Sequence, residues 1–271
     1  MPLAVQQTAS GAVKVEYEYD SHDSYSSVEG SGLKIGPGLV LTAGHVVLKG
    51  NPDNDLECAG SSVLSTLAGR HSYGSWRHQI LNRKAVYNTS NYTAGKDVAV
   101  LSVQRNANFD GLPTARIAAN PPVNGETVFF INYETGGSDS RVDHYPYIGS
   151  TGQTLFKGGN YDHPAEYAGT MIGRQGPYIL VATGEAGYGP RAGREVNSYP
   201  GGSGGEVLNS AGRLIGEVIA TGVSENISQI SNYNGVQLTA DPNTRQISIV
   251  QPVTKAILKP IIDSLPQTPV C

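Results

Sequence analysis

Three side chains in this chain are of the types that together can turn a serine hydroxyl into a nucleophile: His45, Asp97 and Ser203. A serine hydroxyl is a weak nucleophile at neutral pH, so it needs a neutral imidazole to accept its proton. The imidazole in turn needs a carboxylate that fixes its tautomer and stabilises the imidazolium. This set of residue types therefore indicates acyl transfer through a covalent serine intermediate.

Ser203 lies at the centre of Gly-Gly-Ser-Gly-Gly, in the stretch NSYPGGSGGEVLNSAGRLIGEVIATG at 197–222. Glycine-serine runs commonly mark turns and linkers, because glycine tolerates a positive φ. A nucleophilic serine also favours glycine neighbours, since bare backbone N–H groups must approach the reacting carbonyl closely. The motif alone leaves both interpretations open, and the choice depends on a base and an acid elsewhere.

The candidate base and acid each lie at the end of an apolar, strand-like segment. His45 directly follows such a segment in GLVLTAGHVVL, which none of the other five histidines does, and Asp97 opens DVAVLSV. Taken singly, a half-exposed structural histidine and a strand-initiating aspartate are the commoner interpretations. The presence of all three residues at strand edges and glycine-rich loops favours the catalytic one.

Composition excludes several classes of function. Only 15% of the 271 residues are charged and the net charge is −4, so the basic footprint of a nucleic-acid-binding protein is missing. No apolar run approaches the roughly 20 residues of a membrane span. Cys58 and Cys271 permit at most one disulfide, and both a bridge and two free thiols stay open. Neither cysteine has a partner at zinc-ligand spacing, so we expect no metal and no cofactor.

The N-terminal stretch has neither the basic region nor the apolar region of a signal peptide. The abundance of Gly, Ser, Asn and Tyr nevertheless favours an extracellular protein. We therefore expect an extracellular location and leave a cytoplasmic one open. The sequence does not predict an oligomeric state.

Short segments with period-2 alternation dominate the chain and predict many short β-strands. They are joined by Gly- and Pro-rich turns, as is typical of β-barrels and sandwiches. The segments span 13–19, 30–43, 97–103, 126–134, 178–183, 206–220 and 245–250.

Apolar residues recur at helical spacing only near the C-terminus, over 253–265, where Pro260 is expected to bend or shorten the helix. A proline-rich stretch, ANPPVNGE, lies near the middle of the chain and predicts a domain boundary. We therefore divide the chain into a first domain at 1–118, a linker at 119–125, a second domain at 126–252, and a C-terminal helix and tail at 253–271.

Three segments, LTAGHVV, KDVAVLSV and GGSGGEVLNSAGRLIGEVI, resemble the signature segments of the chymotrypsin-like (trypsin-like) serine peptidases. The resemblance spans 31–220 and is closer to the bacterial, HtrA-like and glutamyl-endopeptidase branches than to digestive trypsins. It implies an all-β fold of two six-stranded antiparallel β-barrels, with the site in the cleft between them, followed by a C-terminal helix.

The resemblance also implies roles for the residues. His45 is the general base and then the acid, Asp97 orients it, and Ser203 is the nucleophile. The backbone N–H groups of Gly201 and Ser203 form the oxyanion hole. The implied function is a serine endopeptidase acting on a protein or peptide substrate without metal or cofactor. Two alternatives stay open: a peptide-binding or scaffold protein with a vestigial site, and an esterase with the same triad.

The chain departs from the family where substrate specificity is set. Gly202 replaces the aspartate that receives a new N-terminus in digestive enzymes, so we expect no activation by cleavage. A small or neutral P1 residue is expected, because the pocket base lacks a carboxylate and the pocket histidine of glutamyl endopeptidases is replaced by valine. The stretch 134–177 is expected to be rich in loops. The predicted substrate-binding residues are Asn197, Ser198, Val218, Ile219, Ala220 and Thr221.

Overall fold

The computed structural model describes residues 2–21, 24–47, 61–65, 76–87, 97–133, 147–148, 154–157, 165–183, 202–223 and 246–266. The first six strands close into an antiparallel barrel in the order β1-β2-β3-β6-β5-β4. They are β1 (Ala12–Ser21), β2 (Ser24–Gly36), β3 (Leu39–Thr42), β4 (Ser62–Ser65), β5 (Trp76–Tyr87) and β6 (Asp97–Val103).

The apolar side chains of the predicted strands fill the interior of this first barrel. Val13 and Val15 of β1 pack there with Val40 of β3 and with Ala99 and Leu101 of β6. The turn between β2 and β3 has Gly38 at a φ of +67°, a conformation that glycine adopts without a steric penalty. The turn therefore places β3 antiparallel to β2, and β3 leads directly to His45.

The remaining strands are β7 (Thr127–Asn132), β8 (Tyr147–Ile148), β9 (Thr154–Lys157), β10 (Ala165–Gln175), β11 (Tyr178–Thr183), β12 (Glu206–Leu208), β13 (Leu214–Val223) and β14 (Gln246–Pro252). Six of them form a second barrel in the order β11-β14-β13-β12-β7-β10, which closes because β10 also pairs with β11. β9 and β8 extend the sheet from β10. The predicted fold class, two six-stranded antiparallel barrels, is therefore confirmed.

Within the described residues, four helices accompany the barrels: α1 (Leu3–Ala9), α2 (Gly44–Val47), α3 (Ala107–Asp110) and α4 (Lys255–Asp263). In α4 the side chain of Thr254 caps the first turn by accepting the N–H of Ile257. The helix continues through Pro260 and is shorter than the predicted 253–265. In the part of the chain that the structure describes, no helix is long and apolar enough to cross a membrane.

An apolar cluster fills the space between the two barrels. Leu33 and Val100 from the first barrel pack there with Ile131 and Leu208 from the second, and Val5 of α1 joins them. Side chains from both barrels are fully buried in this one cluster, so it holds the barrels together. The strands of the two barrels lie on opposite sides of the predicted linker at 119–125.

The expectation that 134–177 is rich in loops is wrong for its second half. β10 occupies Ala165–Gln175 and is a wall of the second barrel. A β-bulge between Met171 and Gly173 shifts its pairing with β11, which interrupts the period-2 pattern in the sequence. Helix α1 and strands β4 and β5 were not predicted from the sequence either.

Candidate active site

His45 is held by a short turn at the rim of the first barrel. β3 ends at Thr42, and α2 begins two residues later, at Gly44. Val46 and Val47 are buried in the core of the first barrel, so they anchor the turn while the His45 side chain stays 29% exposed. The backbone of His45 is therefore fixed, while its imidazole stays partly accessible to solvent.

Asp97 contacts His45 at two points. Its Oδ2 lies 2.8 Å from His45 Nδ1, and its Oδ1 accepts the backbone N–H of His45 over 2.9 Å. The carboxylate is an acceptor, so Nδ1 carries the proton of the neutral ring and Nε2 keeps its lone pair. The ring is thus oriented as a general base requires.

The second barrel also contributes to the position of Asp97. The backbone N–H of Asp97 donates to Oε1 of Gln251 on β14 over 3.2 Å. The Gln251 amide nitrogen donates to the carbonyl of Pro252, which fixes the orientation of the amide. The first residue of β6 is therefore tied to the second barrel as well as to His45.

The loop of Ser203 packs against the strand end that precedes His45. Gly204 has a φ of +78°, and a Cβ atom there would overlap the carbonyl oxygen of Ser31, the hydroxyl of Thr42 and the N–H of Ala43. The carbonyl of Ser203 accepts the N–H of Ser31 over 2.8 Å. Glycine at 204 thus allows the loop to approach the first barrel at the end where His45 lies.

Backbone contacts within the second barrel fix the other side of this loop. The N–H of Gly204 donates to the carbonyl of Val218, and the N–H of Val218 donates to the carbonyl of Gly205, both over 2.8 Å. A Cβ atom at Gly205 would overlap the side-chain amide of Asn132. The loop is therefore held in one conformation by β13 and β7.

The predicted substrate-binding residues differ from one another in their burial and in the barrel core that they contact. The side chain of Val218 is buried in the interior of the second barrel, and Ile219 is buried against the core of the first. Ile219 lies at the bulge between Val218 and Ala220, and Thr221 continues β13. Gly201, Asn197 and Ser198 lie outside the described residues, so their predicted roles stay predictions.

Sequence reasoning missed two buried acids beside the site, Glu206 on β12 and Glu217 on β13. Burial raises the pKa of both carboxyl groups well above the usual value for glutamate. The negative charges of Asp97 and Glu206 raise the pKa of Glu217 further. A signal was present in the sequence, because each glutamate directly precedes a valine in an otherwise apolar segment.

A family model described as Trypsin-like peptidase domain matches residues 30–216. Among solved structures, the serine endoprotease from Yersinia pestis superposes with a TM-score of 0.50 at 18% identity, over 96% of this chain and 64% of that one. This chain thus spans less than two thirds of the length of that structure. The Rv3671c protease from M. tuberculosis in its active form gives a TM-score of 0.51 at 18% identity, over 100% of this chain and 87% of that one. No curated protein matches the chain.

Proposed function

Because the chain belongs to the trypsin-like peptidase family, a family of serine hydrolases, as its three motifs predicted, we propose that it cleaves protein or peptide chains as an endopeptidase. His45, Asp97 and Ser203 form the catalytic triad of this proposal. The observation that carries it is the two-point contact between Asp97 and His45, at 2.8 and 2.9 Å. A carboxylate that only capped the turn would have no need to bind the ring nitrogen as well.

In the acylation step, the Ser203 hydroxyl attacks the scissile carbonyl carbon. Its proton passes to Nε2 of His45 as the Oγ–C bond forms, and the carbonyl π electrons move onto oxygen. When the tetrahedral intermediate collapses, the C–N bond breaks and Nε2 returns the proton to the leaving amine. The acyl group then remains on Ser203, and His45 is neutral again.

In the deacylation step, water replaces the amine and loses its proton to Nε2 of His45. The C–Oγ bond breaks, Ser203 recovers its proton from the imidazolium, and a carboxylic acid leaves. In both steps the carboxylate of Asp97 stays ionised, stabilises the imidazolium and keeps Nδ1 as the protonated nitrogen.

The oxyanion of this proposal is bound by the backbone N–H groups of Ser203 and Gly201. Such donors contribute most when they are already oriented, and the loss of one typically costs about 3 kcal/mol of transition-state stabilisation. Hydrogen bonds on two successive peptide groups support this part of the proposal. The carbonyl of Gly202, in the peptide group that carries the Ser203 N–H, accepts the N–H of Gly205 over 2.8 Å. The next peptide group is fixed by the bonds from Ser31 to the Ser203 carbonyl and from the Gly204 N–H to Val218, both at 2.8 Å.

We also propose a small or neutral side chain at P1. No carboxylate stands at Asn197 to pair with a basic P1 residue, and Val218 stands where glutamyl endopeptidases have a histidine. A panel of peptides that differ only at P1 tests this directly. A preference for Lys, Arg or Glu would contradict it.

Labelling with a fluorophosphonate, followed by parallel casein and p-nitrophenyl ester assays, tests the proposed function. We expect the wild type to be labelled and to digest casein, and Ser203→Ala to do neither. Ser210→Ala is the matched control, because Ser210 is an exposed turn residue in the adjacent hairpin. Labelling that persists in Ser203→Ala would show a different nucleophile, ester hydrolysis without casein digestion would show an esterase, and no labelling would show a binding protein.

A further inference from the structure

Two glutamates face each other across neighbouring strands, and within the part of the chain that the structure describes no basic group acts on either. Glu206 of β12 and Glu217 of β13 are directly opposed in the register of the sheet. Their exposures are 1% and 0%, and none of their four carboxyl oxygens has a hydrogen-bond partner among the described residues. A fully buried carboxylate without a partner is costly, so this geometry requires an explanation.

The pair lies between the barrels rather than inside one. Val207 and Val218, which follow the two glutamates, point into the second barrel. Successive side chains of a strand point to opposite faces, so the glutamates face outward. Ile131 of β7 lies opposite Glu206 and belongs to the apolar cluster between the barrels.

This row of side chains leads to the candidate site. Gln251 of β14 lies opposite Glu217 on the side away from Glu206. Gln251 in turn accepts the backbone N–H of Asp97. The order across the sheet is therefore Glu206, Glu217, Gln251. Gln251 then contacts Asp97, the residue that orients His45.

Among the described residues, the titratable groups that act on Glu217 are both acids: Asp97 at the start of β6 and Glu206 on β12. The neighbour of Glu217 on β14 is the neutral Gln251. Burial raises the pKa of Glu217 first, and these two charges raise it further. Glu217 is therefore a neutral acid in a pH range where an exposed glutamate is ionised.

We propose that Glu217 is a positioning residue for Asp97, which keeps the site assembled while its carboxyl is protonated and sets an alkaline limit to activity when it ionises. An ionised Glu217 would be a second buried negative charge beside Asp97. That charge needs water or a counter-ion. Its formation therefore separates the row of Glu206, Glu217 and Gln251 from Asp97 in the first barrel. Gln251 then no longer holds the backbone of Asp97, and the contact between Asp97 and His45 loosens.

The catalytic consequence rests on the proposed function, but the link between Glu217 and the Asp97–His45 contact does not. Two readouts therefore separate the two ideas. The first is the pH profile of the fluorophosphonate labelling rate. The second is the proton NMR resonance of the His45 Nδ1–H that is bonded to Asp97, followed against pH in Ser203→Ala, which needs no catalysis.

In the wild type we expect the labelling rate to fall about tenfold per pH unit beyond the alkaline limit, because a single ionisation gives that slope. The Nδ1–H resonance, followed in Ser203→Ala, should disappear over the same pH range. In Glu217→Gln, whose amide does not titrate, both changes should move upward by about one pH unit or more. In Glu206→Gln both should move downward, because Glu217 loses a negative neighbour and gains an amide donor. Glu126→Gln is the matched control, since Glu126 lies at a surface turn of the same barrel, and should leave both unchanged.

The proposal is overturned if Glu217→Gln loses the rate and the resonance at the same pH as the wild type. If Glu217→Gln does not fold, Glu206→Gln decides, and an unmoved profile there overturns the proposal equally. A wild type that is never labelled would refute the proposed function, while the Nδ1–H resonance would still decide whether Glu217 positions Asp97.

Discussion

The backbone N–H of Ser31 donates to the carbonyl of Ser203 over 2.8 Å, so a strand of the first barrel holds the candidate nucleophile of the second. The side chain of Ser31 reinforces the contact between the barrels, since its hydroxyl oxygen accepts the N–H of Tyr133 over 2.7 Å. His45 and Ser203 belong to different barrels, and their relative position therefore depends on backbone contacts that few side-chain substitutions remove.

Gly204→Ala should disrupt this contact. The φ of +78° is strained for alanine, and the new Cβ would overlap the backbone at Ser31 and Ala43. We expect a loss of about 3 kcal/mol or more in the free energy of unfolding, together with loss of fluorophosphonate labelling. Denaturant unfolding of the two proteins measures the first effect.

Gly125→Ala is the control for that prediction. Gly125 has a similar φ of +84°, but nothing lies within 4 Å of the position of its Cβ. Only the backbone strain remains, so the expected loss is about 1 kcal/mol and labelling should persist. Equal losses in the two variants would show that the contact with the first barrel contributes nothing.

Asp97→Asn should leave the fold intact and remove most of the activity. An asparagine amide can donate to Nδ1 of His45, which would favour the tautomer with the proton on Nε2 and leave no acceptor for the serine proton. We expect kcat to fall about 10⁴-fold while KM changes little. Steady-state kinetics on a peptide substrate gives both values, and a decrease confined to kcat/KM through a raised KM would contradict the assigned role.

The fold and the candidate triad could be predicted largely from local sequence, for a physical reason. The alternation in VKVEYEY and the continuous apolar run in DVAVLSV both indicate strands of a barrel wall, and His45 and Asp97 lie at the ends of such strands. The pairing of Glu206 with Glu217 could not be predicted, because it depends on the register between strands. The sequence shows two glutamates in apolar segments, but not that they oppose each other or that Gln251 joins them to Asp97.

A similar reason explains the missed elements. β10 contains Gly169 and Gly173 and a bulge, so its alternation is broken in the sequence although its hydrogen bonds complete the barrel. α1 spans only Leu3–Ala9, and its place depends on tertiary contacts such as the hydrogen bond from the Thr8 hydroxyl to the carbonyl of Gly212. Neither feature has a strong local pattern.

Lys34→Met should destabilise the first barrel without affecting the site directly. The buried ammonium of Lys34 donates to the carbonyls of Phe109, Asp110 and Leu112 at 2.7 to 2.9 Å. Methionine has a similar length but no donor, so these acceptors lose their partner, at an expected cost of about 2–4 kcal/mol. Denaturant unfolding measures the loss. Lys259→Met, at an exposed ion pair with Asp263, is the control and should leave the stability nearly unchanged.

The stability of the protein should be greatest on the acid side of neutral. Glu206 and Glu217 have a pKa raised well above 4.5 by burial in the folded protein, whereas in the unfolded chain they ionise near 4.5. Between these values the folded state binds more protons, so each carboxyl lowers the free energy of unfolding by about 1.4 kcal/mol per pH unit as pH rises. This contribution to stability is fully present below pH 4.5 and is lost above it.

His78 acts in the opposite direction. It is fully buried in the first barrel, and burial lowers its pKa below 6.5. The unfolded state therefore binds more protons below pH 6.5, and stability falls as the pH decreases through that range. Between pH 4.5 and 6.5 two carboxyls oppose one imidazole, so the net change is a loss of stability as the pH rises.

Denaturant unfolding of Ser203→Ala at intervals from pH 4 to 8 tests this balance without self-digestion. We expect the midpoint to fall with rising pH, because the two carboxyls outweigh His78. Adding Glu206→Gln and Glu217→Gln removes both carboxyls, so the remaining slope should reverse below pH 6.5, where His78 acts alone. The same decline in the triple variant would show that other groups control the pH dependence. A midpoint in Ser203→Ala that rises with pH below 6.5 would show that the two glutamates are ionised in the folded protein.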